Sequence, residues 1–496
     1  MKKLKILFIL SAFFSGATFA QTSNIFHDRN FWKTNPSIEI IEEQIKQGND
    51  ITKLNKNAFD GVVYAILENT DINTIKYLLS KEGNDVNKKT HDGRTYIFWA
   101  AYKNNLKLIK HLVSKNAKTN LIDSHGYTVL NFAASAGQTN IKMYDYLITM
   151  KANIKTDKNH KGANVLLLVA PYLENYSLVK YLVSKGATLK DTDTNGNGLF
   201  EYAAKGGNIP FLKILIKKGI ETGENAMLFA SQGLRRKKNS LETYQFLESV
   251  GVKANVIDNA GKNPLHAIAY NTTDLETYAY FISKGVATNL QDAEGNSPFM
   301  NAANSNTLAV VAFLSPTVKD INLKDKNGRS ALAKAVQRNT LDVVQFLLEE
   351  KANIATVDAK GNSLSYYLLQ TFNANEPANF EEKLSVLQKN GLVFNSLQNA
   401  GNTLVHIATE RNNLALLKRL NSFNIDVNTS NKEGLSALQV AAMTSKNTKI
   451  LAYLISIGAN KNVKTDFEET VYDLASENEI LKKNNVDIQF LKQENQ

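Results

Sequence analysis

A glycine recurs about every 34 residues along most of this 496-residue chain, and this period constrains the fold more than any other feature. Each of these glycines is followed seven positions later by a small or apolar residue, usually alanine. A short unit repeated in this way buries its apolar side only against its neighbours, so the period predicts a stack of similar units. The glycines are Gly93, Gly126, Gly162, Gly196, Gly223, Gly261, Gly295, Gly328, Gly361, Gly401 and Gly434.

The residues around these glycines predict a tight turn followed by a helix. An aspartate three residues before the glycine favours a type I turn, and a hydroxyl two residues after it favours a helix N-cap. The apolar spacing in stretches such as LKLIKHLV is helical. The aspartates are Asp123, Asp193, Asp258, Asp292, Asp325 and Asp358. The hydroxyl residues are Thr95, Thr128, Ser297, Ser330, Ser363, Thr403 and Ser436.

The repeated unit resembles an ankyrin repeat over almost all of the chain. NPLHAIA at 263–269, SPFMNAA at 297–303 and TLVHIAT at 403–409 are similar to the motif that opens the first helix of that family. LIKHLVSKNA and ILAYLISIGA are similar to its second half. The resemblance implies an all-α solenoid of about thirteen helix-turn-helix units with hairpin-like tips. It also implies binding of another protein through the concave face and the tips, without catalysis and without a cofactor.

The repeat boundaries divide the chain into five segments. We expect a signal peptide at 1–20, an N-terminal helical cap at 21–57 and a capping repeat at 467–496. The repeats between them form a first block at 58–223 and a second block at 224–466, because the interval after Gly196 is only 27 residues long.

The N-terminus predicts export. Three lysines precede an apolar run that ends in small residues at Thr18 and Ala20, so we expect cleavage near Ala20 and a periplasmic or extracellular protein. No later segment is long and apolar enough to span a membrane, and the chain has no cysteine.

The net charge of +11 falls to +8 without those three lysines. The basic cluster at 235–238 has no interleaved aromatic residue, so we expect no nucleic-acid partner.

Two of the seven histidines occupy the same place in their repeats. His266 and His406 lie at the histidine of the ankyrin motif, where the resemblance implies a hydrogen bond to turn groups. We therefore assign them a structural role, together with Thr95, Thr128 and Thr403.

His91, His125 and His160 lie one repeat apart, too far for a shared zinc ion. The recurring G-x-S lacks the second glycine of a hydrolase elbow, so no catalytic residue is expected.

One stretch also fits part of a calcium loop. Asp191, Asp193 and Asn195 occupy the first, third and fifth positions of such a loop, with Gly196 at the sixth. Glu201 comes one place before the position where the loop needs a glutamate. An ordinary repeat tip explains the same residues, so a weak calcium site is kept as an alternative.

The residues between a tip aspartate and the following cap, together with Tyr96 just inside the first helix, are expected to contact the partner, because core packing does not constrain the tips. The predicted contacts are Arg94, Tyr96, Tyr127, Lys262, Lys326 and Arg329. The function that follows is a monomeric protein-binding scaffold. Two alternatives are an inhibitor or immunity protein that neutralises one toxin or enzyme, and a module that binds an envelope polymer or calcium.

Overall fold

The computed structural model describes residues 24–235 and 237–492. The predicted signal peptide lies outside these residues. The chain divides into two compact units, Met1–Glu221 and Thr222–Gln496, here called unit 1 and unit 2. Both units are helical, and the described residues contain isolated β-bridges but no strand. The described residues therefore have the predicted all-α fold class.

Unit 1 begins with a short 3-10 helix, Ile25–His27, and two helices, α1 (Arg29–Lys33) and α2 (Ile38–Lys46). Five helix pairs follow, and the first helix of each of the first four pairs packs on the first helix of the next pair. The pairs are α3 (Gly61–Leu67) with α4 (Ile72–Leu79), α5 (Tyr96–Tyr102) with α6 (Leu106–Ser114), α7 (Val129–Ser135) with α8 (Ile141–Thr149), α9 (Val165–Val169) with α10 (Ser177–Ser184), and α11 (Leu199–Gly206) with α12 (Ile209–Lys217). Single 3-10 turns lie at His91–Gly93 and Ala170–Tyr172.

Unit 2 contains eight further helix pairs in its described part. They are α13 (Ala226–Gln232) with α14 (Leu241–Ser249), α15 (Pro264–Ile268) with α16 (Leu275–Ser283), α17 (Pro298–Ser305) with α18 (Leu308–Leu314), α19 (Ala331–Arg338) with α20 (Leu341–Glu349), α21 (Leu364–Leu369) with α22 (Ala378–Lys389), α23 (Leu404–Glu410) with α24 (Leu414–Leu420), α25 (Ala437–Thr444) with α26 (Lys449–Ser456), and α27 (Val471–Glu477) with α28 (Glu479–Lys483). Single 3-10 turns lie at Ser315–Thr317, Asn399–Gly401, Asn421–Phe423 and Gln489–Leu491.

Hydroxyl side chains cap many of the first helices as the sequence predicts. In α7 and α23 the side chains of Thr128 and Thr403 accept the backbone N–H three residues later. Thr95 departs from this prediction, because the N–H of Phe98 donates to the Thr95 carbonyl at 3.0 Å and leaves the Thr95 hydroxyl buried without a partner. The cap of α5 is therefore a backbone turn, and the assigned capping role of Thr95 is wrong.

Asparagine side chains join several neighbouring repeats of unit 2 between the first and second helix. The Asn339 amide donates to the carbonyls of Ala303 and Asn306 in the preceding repeat, both at 2.9 Å. Asn478 donates to the carbonyls of Ala442 and Ser445 in the same way, both at 3.0 Å. Carbonyls at the end of a helix lack an intrahelical hydrogen-bond donor. Each of these amides therefore supplies that donor to the carbonyls of the preceding repeat.

One buried side chain in unit 2 breaks the apolar pattern of the second helices. In α6 the buried positions hold Leu108, Ile109 and Leu112, and α22 places Lys383 at the first of the three. Lys383 is only 1% exposed, and its Nζ donates to the Val336 carbonyl at 3.1 Å. Burial lowers the pKa of Lys383 to about 8, because a charged ammonium loses its hydration there.

The first helix α11 approaches the preceding repeat through a glycine. A Cβ at Gly206 would lie 1.9 Å from the Pro171 carbonyl oxygen, inside any allowed contact distance. Gly198, at the other end of the same helix, has room, because its nearest side-chain atom would be 3.6 Å away. The close packing of α11 on 170–172 therefore requires glycine at 206.

We predict that Gly206→Ala destabilises unit 1 by about 1–3 kcal/mol, although alanine normally favours helix over glycine. Both tryptophans of the chain, Trp32 and Trp99, lie in unit 1, so tryptophan fluorescence in a urea titration reports on this unit. Gly198→Ala, at the N-cap of the same helix, is the control and should cost less, up to about 1 kcal/mol, because alanine only caps the helix less well there. Equal stability of the two variants would contradict the close contact.

We also predict that Lys383→Met stabilises unit 2 at pH 7 by about 2–3 kcal/mol. The folded pKa of Lys383 lies below its ordinary value of 10.5, so the charge disfavours folding at neutral pH and this penalty disappears as pH rises from about 8 to 10.5. Hydrogen exchange of peptides covering α22 measures the difference between the two proteins. An advantage of the variant that stays constant from pH 7 to pH 10.5 would contradict this explanation.

Candidate partner-binding surface

The repeat tips are rigid because each tip aspartate binds the backbone of its own turn. Asp325 Oδ1 accepts the N–H groups of Asn327 and Arg329, both at 2.9 Å. The other five predicted aspartates accept the same pair of N–H groups at 2.8–3.0 Å. The glycine of each turn has positive φ, for example 75° at Gly328, which other residues adopt at a cost. These turns therefore hold their shape without a partner.

Backbone hydrogen bonds connect each tip to the next along much of both units. In unit 1 the N–H of Ser124 donates to the Asp92 carbonyl at 2.9 Å. In unit 2 the N–H of Ala359 donates to the Asn327 carbonyl at 2.8 Å. Tips joined in this way form a continuous edge, so side chains at equivalent positions project in a row.

The two motif histidines hold the turn and the helix together. His406 Nδ1 accepts the N–H of Thr403 at 3.3 Å, and its Nε2 donates to the Leu435 carbonyl in the next repeat at 3.0 Å. His266 makes the equivalent bonds, at 3.1 Å each, to Asn263 and Asn296. Burial lowers the pKa of both imidazoles below the ordinary histidine value, so both are neutral at pH 7. Each histidine uses both ring nitrogens for structure.

Two of the six predicted partner contacts are buried, which corrects the sequence interpretation. Arg94 is 7% exposed, lies 2.7 Å from Asp123 in the next tip and stacks on the ring of Phe132. Tyr96 is fully buried, and its hydroxyl donates to Asp60 at 2.8 Å. Both side chains bind neighbouring repeats, so neither is available to a partner.

The other four predicted contacts remain at the surface. Lys262 and Lys326 are exposed, and Tyr127 and Arg329 are half-buried. Arg329 binds Asp325 of its own tip at 2.9 Å, and Lys262 lies 3.9 Å from Asp292 of the next tip. Tyr127 packs against Phe132 with the ring centres 6.4 Å apart. Tyr127 in unit 1 and Arg329 in unit 2 therefore expose part of their side chains at the tips. Lys262 and Lys326, both in unit 2, are exposed.

An aromatic cluster beside the tips of unit 1 is the feature that sequence reasoning missed. Trp99 lies 5.5 Å from Phe59 of the preceding repeat and 5.8 Å from Phe132 of the next, measured between ring centres. Tyr102 stacks on Phe132 at 5.6 Å and is 39% exposed. The signal was present, because Trp99 and Phe132 both come six residues after a repeat glycine. These rings span three consecutive repeats, with Trp99 and Phe132 buried at 5% and 8% exposure and Tyr102 exposed at the edge of the cluster.

The predicted calcium ligands do not converge. Asp193 accepts N–H groups of its own turn and the hydroxyl of Tyr202, and Glu201 accepts the N–H of Gly198. Asp191 instead binds Thr188 and the Asn164 amide. No group of three histidine or acidic residues that could hold a metal ion occurs in the part of the chain that the structure describes. Asp193 and Glu201 thus make the turn and cap hydrogen bonds of a repeat tip.

Two of the three tip histidines of unit 1 lie beside the same carboxylate, and the third lies apart from it. His91 and His125 lie 3.4 and 3.2 Å from the Asp92 carboxylate, and the N–H of His160 donates to the His125 carbonyl. A Cβ at Gly126 would meet the His160 ring at 2.4 Å. His160 therefore packs on the turn, while His91 and His125 flank one carboxylate.

Unit 2 has a shallow polar depression between two successive repeats. It is lined by Lys360, Asn362, Tyr366, Asn399, Asn402, Ile407, Glu410 and Arg411. Arg411 donates to the Leu369 carbonyl at 3.0 Å, and Asn402 donates to Glu410 at 3.3 Å. The depression lies beside the tips, so it belongs to the same side of the repeats as the predicted contacts.

The helices between residues 24 and 492, leaving out residue 236, are all too short or too polar to cross a membrane.

The family model of ankyrin repeats (three copies) matches residues 34–123, 62–158, 265–358 and 373–465. An ankyrin repeat protein of Rickettsia felis is 28% identical over 200 residues, which cover 40% of this chain and 47% of that protein. The phosphocholine transferase AnkX of Legionella pneumophila is 25% identical over 129 residues, which cover 26% of this chain and 14% of that protein. The chain spans less than half the length of each of these relatives.

Two solved structures show similarity to parts of the chain. A chain from the structure of a predatory endopeptidase of Bdellovibrio bacteriovorus in complex with an immunity protein is 26% identical, with a TM-score of 0.34. That similarity covers 40% of this chain and 99% of the other. The human ASB11 ankyrin repeat domain is 19% identical, with a TM-score of 0.38, and the similarity covers 47% of this chain and 100% of that domain.

We predict that His406→Gln makes unit 2 less sensitive to acid. The folded pKa of His406 is depressed, so its contribution to stability is present above the ordinary histidine value of 6.5 and is lost as pH falls through the lower folded pKa. Glutamine is suited to this position, because Gln439 of α25 accepts the N–H of Ser436 from the equivalent place at 2.8 Å. The variant loses the bond to Leu435, at a cost of about 1 kcal/mol at pH 7.5.

The measurement is the melting temperature from pH 7.5 to pH 5, where the difference between the original protein and His406→Gln should narrow. Gln439→His is the reverse variant and should steepen the loss of stability in acid. Parallel pH profiles for all three proteins would show that the buried imidazole does not control this response.

Proposed function

The chain belongs to the ankyrin repeat family, and on that premise we propose that it is a non-enzymatic scaffold that binds a partner protein through the tips and first helices of its repeats. The observation that carries this proposal is the surface of unit 1 where rigid tips and the aromatic cluster adjoin. Exposed aromatic side chains on a rigid support are the type that contributes most to protein interfaces. Tyr102 is the most exposed ring of that cluster, at 39%.

The tips support this proposal because they need no rearrangement to bind. Their carboxylates are already bonded to their own turns, so a partner meets a surface whose shape is fixed. The exposed side chains of Lys262 and Lys326 extend the contact into unit 2 as a separate patch. These four residues, Tyr102, Tyr127, Lys262 and Lys326, are the proposed contacts, and Arg329 adds a cation at the edge of its tip.

We also propose that the mature protein is exported and acts outside the cytoplasm. The support is the pattern of lysines, apolar residues and small residues in the first 20 positions, together with the complete absence of cysteine. An inhibitor or immunity protein is a narrower form of the same proposal, in which the partner is a toxin or an enzyme that loses activity on binding.

The test is site-specific photo-crosslinking of the full chain in cells of its source organism. A photoreactive residue at Tyr102 or at Lys326 should capture the same partner protein. The same residue at Asn73 of α4 or Gln345 of α20, both exposed on second helices, should capture none of it. Capture from the second helices alone would place the binding surface elsewhere and overturn the proposal.

We predict that Tyr102→Ala combined with Lys326→Ala weakens binding of the captured protein by about tenfold or more. The melting temperature should fall only modestly, because Lys326 is exposed and Tyr102 loses only its contacts with Trp99 and Phe132 at the edge of the aromatic cluster. Asn73→Ala combined with Gln345→Ala is the matched control. If purified partner then loses an enzymatic activity on binding, the narrower inhibitor role is supported. Unchanged affinity of the first variant would contradict the assigned contacts.

A further inference from the structure

The second helices of unit 1 carry an unusual concentration of one type of charge. The five helices α4, α6, α8, α10 and α12 contain seven lysines, one aspartate and no arginine or glutamate. The eight second helices of unit 2 contain seven basic and eight acidic residues. The lysines, here called the lysine face, are Lys76, Lys107, Lys110, Lys142, Lys180, Lys213 and Lys217, and all seven are exposed.

The positions of these lysines follow the repeat. Four of them, Lys76, Lys110, Lys180 and Lys213, come directly after the second residue of the buried pair in their helices. Packed helices lie about 8–10 Å apart, so equivalent residues of successive repeats form a row with that spacing. The fifth place in the row is Asp145 of α8. The Asp145 carboxylate lies 3.0 Å from Lys185 and accepts the Tyr181 hydroxyl at 2.8 Å, so its charge is already balanced.

Helix stability does not explain this arrangement. The helix dipole favours cations in the last turn, and it disfavours them in the first. Lys107 and Lys142 each occupy the second position of their helix, and most of the remaining lysines lie in the middle of theirs. Only Lys76 and Lys217 lie in the last turn of a helix, so the helix dipole does not account for the other five lysines.

Aliphatic side chains lie between the lysines. The residue three positions after each member of the row is aliphatic, and residues so spaced share one side of a helix. These residues are Leu79, Val113, Ile148, Val183 and Ile216. Val183 and Ile216 are 37% and 36% exposed. In unit 2 the equivalent residues are mixed: Glu248, Ser315, Gln388 and Asn421 are polar or charged, whereas Ile282, Leu348 and Ile455 are aliphatic. The three helices with those aliphatic residues have Ala279, Gln345 and Ala452 in place of the lysine, so none of them combines the two features.

We propose that the lysine face of unit 1 docks on an anionic lipid bilayer. Lysine is depleted from protein interfaces, where arginine takes its place, whereas clusters of lysine are attracted to anionic headgroups without defined geometry. Exposed aliphatic side chains among the lysines favour lipid over nucleic acid, because they reach the apolar boundary below the headgroups. The face lies on the helices opposite to the proposed partner contacts, so docking leaves the tips of unit 1 accessible.

The test measures partition of the chain from Gln21 onward, which contains every described residue, into sedimented vesicles. We expect binding to vesicles that contain phosphatidylglycerol, little binding to pure phosphatidylcholine, and release by salt. Replacing Lys107, Lys110, Lys180 and Lys213 with glutamine should lower the partition coefficient at least about a hundredfold. The matched control replaces Lys118, Lys158, Lys161 and Lys190, exposed lysines in loops and tips of unit 1, and should retain most of the binding.

A double variant distinguishes binding to lipid from binding to other polyanions. The protein with both Val183→Ser and Ile216→Ser should bind the vesicles more weakly and bind polyglutamate or duplex DNA as before. Far-ultraviolet circular dichroism confirms that each variant keeps its helices. Failure of the original protein to bind phosphatidylglycerol vesicles, or equal loss in both lysine variants, would overturn the proposal. Tighter binding to polyglutamate or DNA than to the vesicles would assign the lysine face to an acidic protein or to nucleic acid.

Discussion

Contacts between neighbouring repeats are the constraint on which both units depend. A single helix pair has an apolar side that it cannot cover by itself, and the next pair covers it. Polar groups follow the same rule, since the Asn339 amide satisfies two carbonyls of the preceding repeat and His406 donates to a carbonyl of the following one. Stability is therefore distributed along the chain, and each repeat fixes the position of its neighbours' tips.

This constraint separates residues that hold the stack from residues that are free to bind. Arg94 shows the first kind, because its guanidinium lies between Asp92 and Asp123 and stacks on Phe132, although its place in the sequence is a tip. Lys326 shows the second kind, because its backbone N–H belongs to the connection between tips while its side chain is exposed. Lys383 is an exception among the buried residues. It is a cation in a position that other second helices fill with apolar residues or threonine.

The repeat period, the turn chemistry and most helix caps could be predicted from the sequence because they depend on residues within one unit. The roles of Arg94 and Tyr96 could not, because their partners Asp123 and Asp60 lie 29 and 36 residues away in other repeats. The orientation of Asp191 could not be predicted for a related reason, since it accepts a hydrogen bond from Asn164 of the previous repeat. The aromatic cluster and the lysine face were visible in the sequence only after the repeats were aligned in helical register.

The central claim is that a partner protein binds the tips and first helices of an already ordered stack. Hydrogen exchange of the full chain, with and without the captured partner, tests this claim most directly. The account predicts slower exchange in peptides that cover the tips and first helices of unit 1, such as 91–102 and 124–135, with little change in α6, α8 and α10. Protection confined to the second helices, or uniform protection of the whole chain by folding on binding, would contradict it.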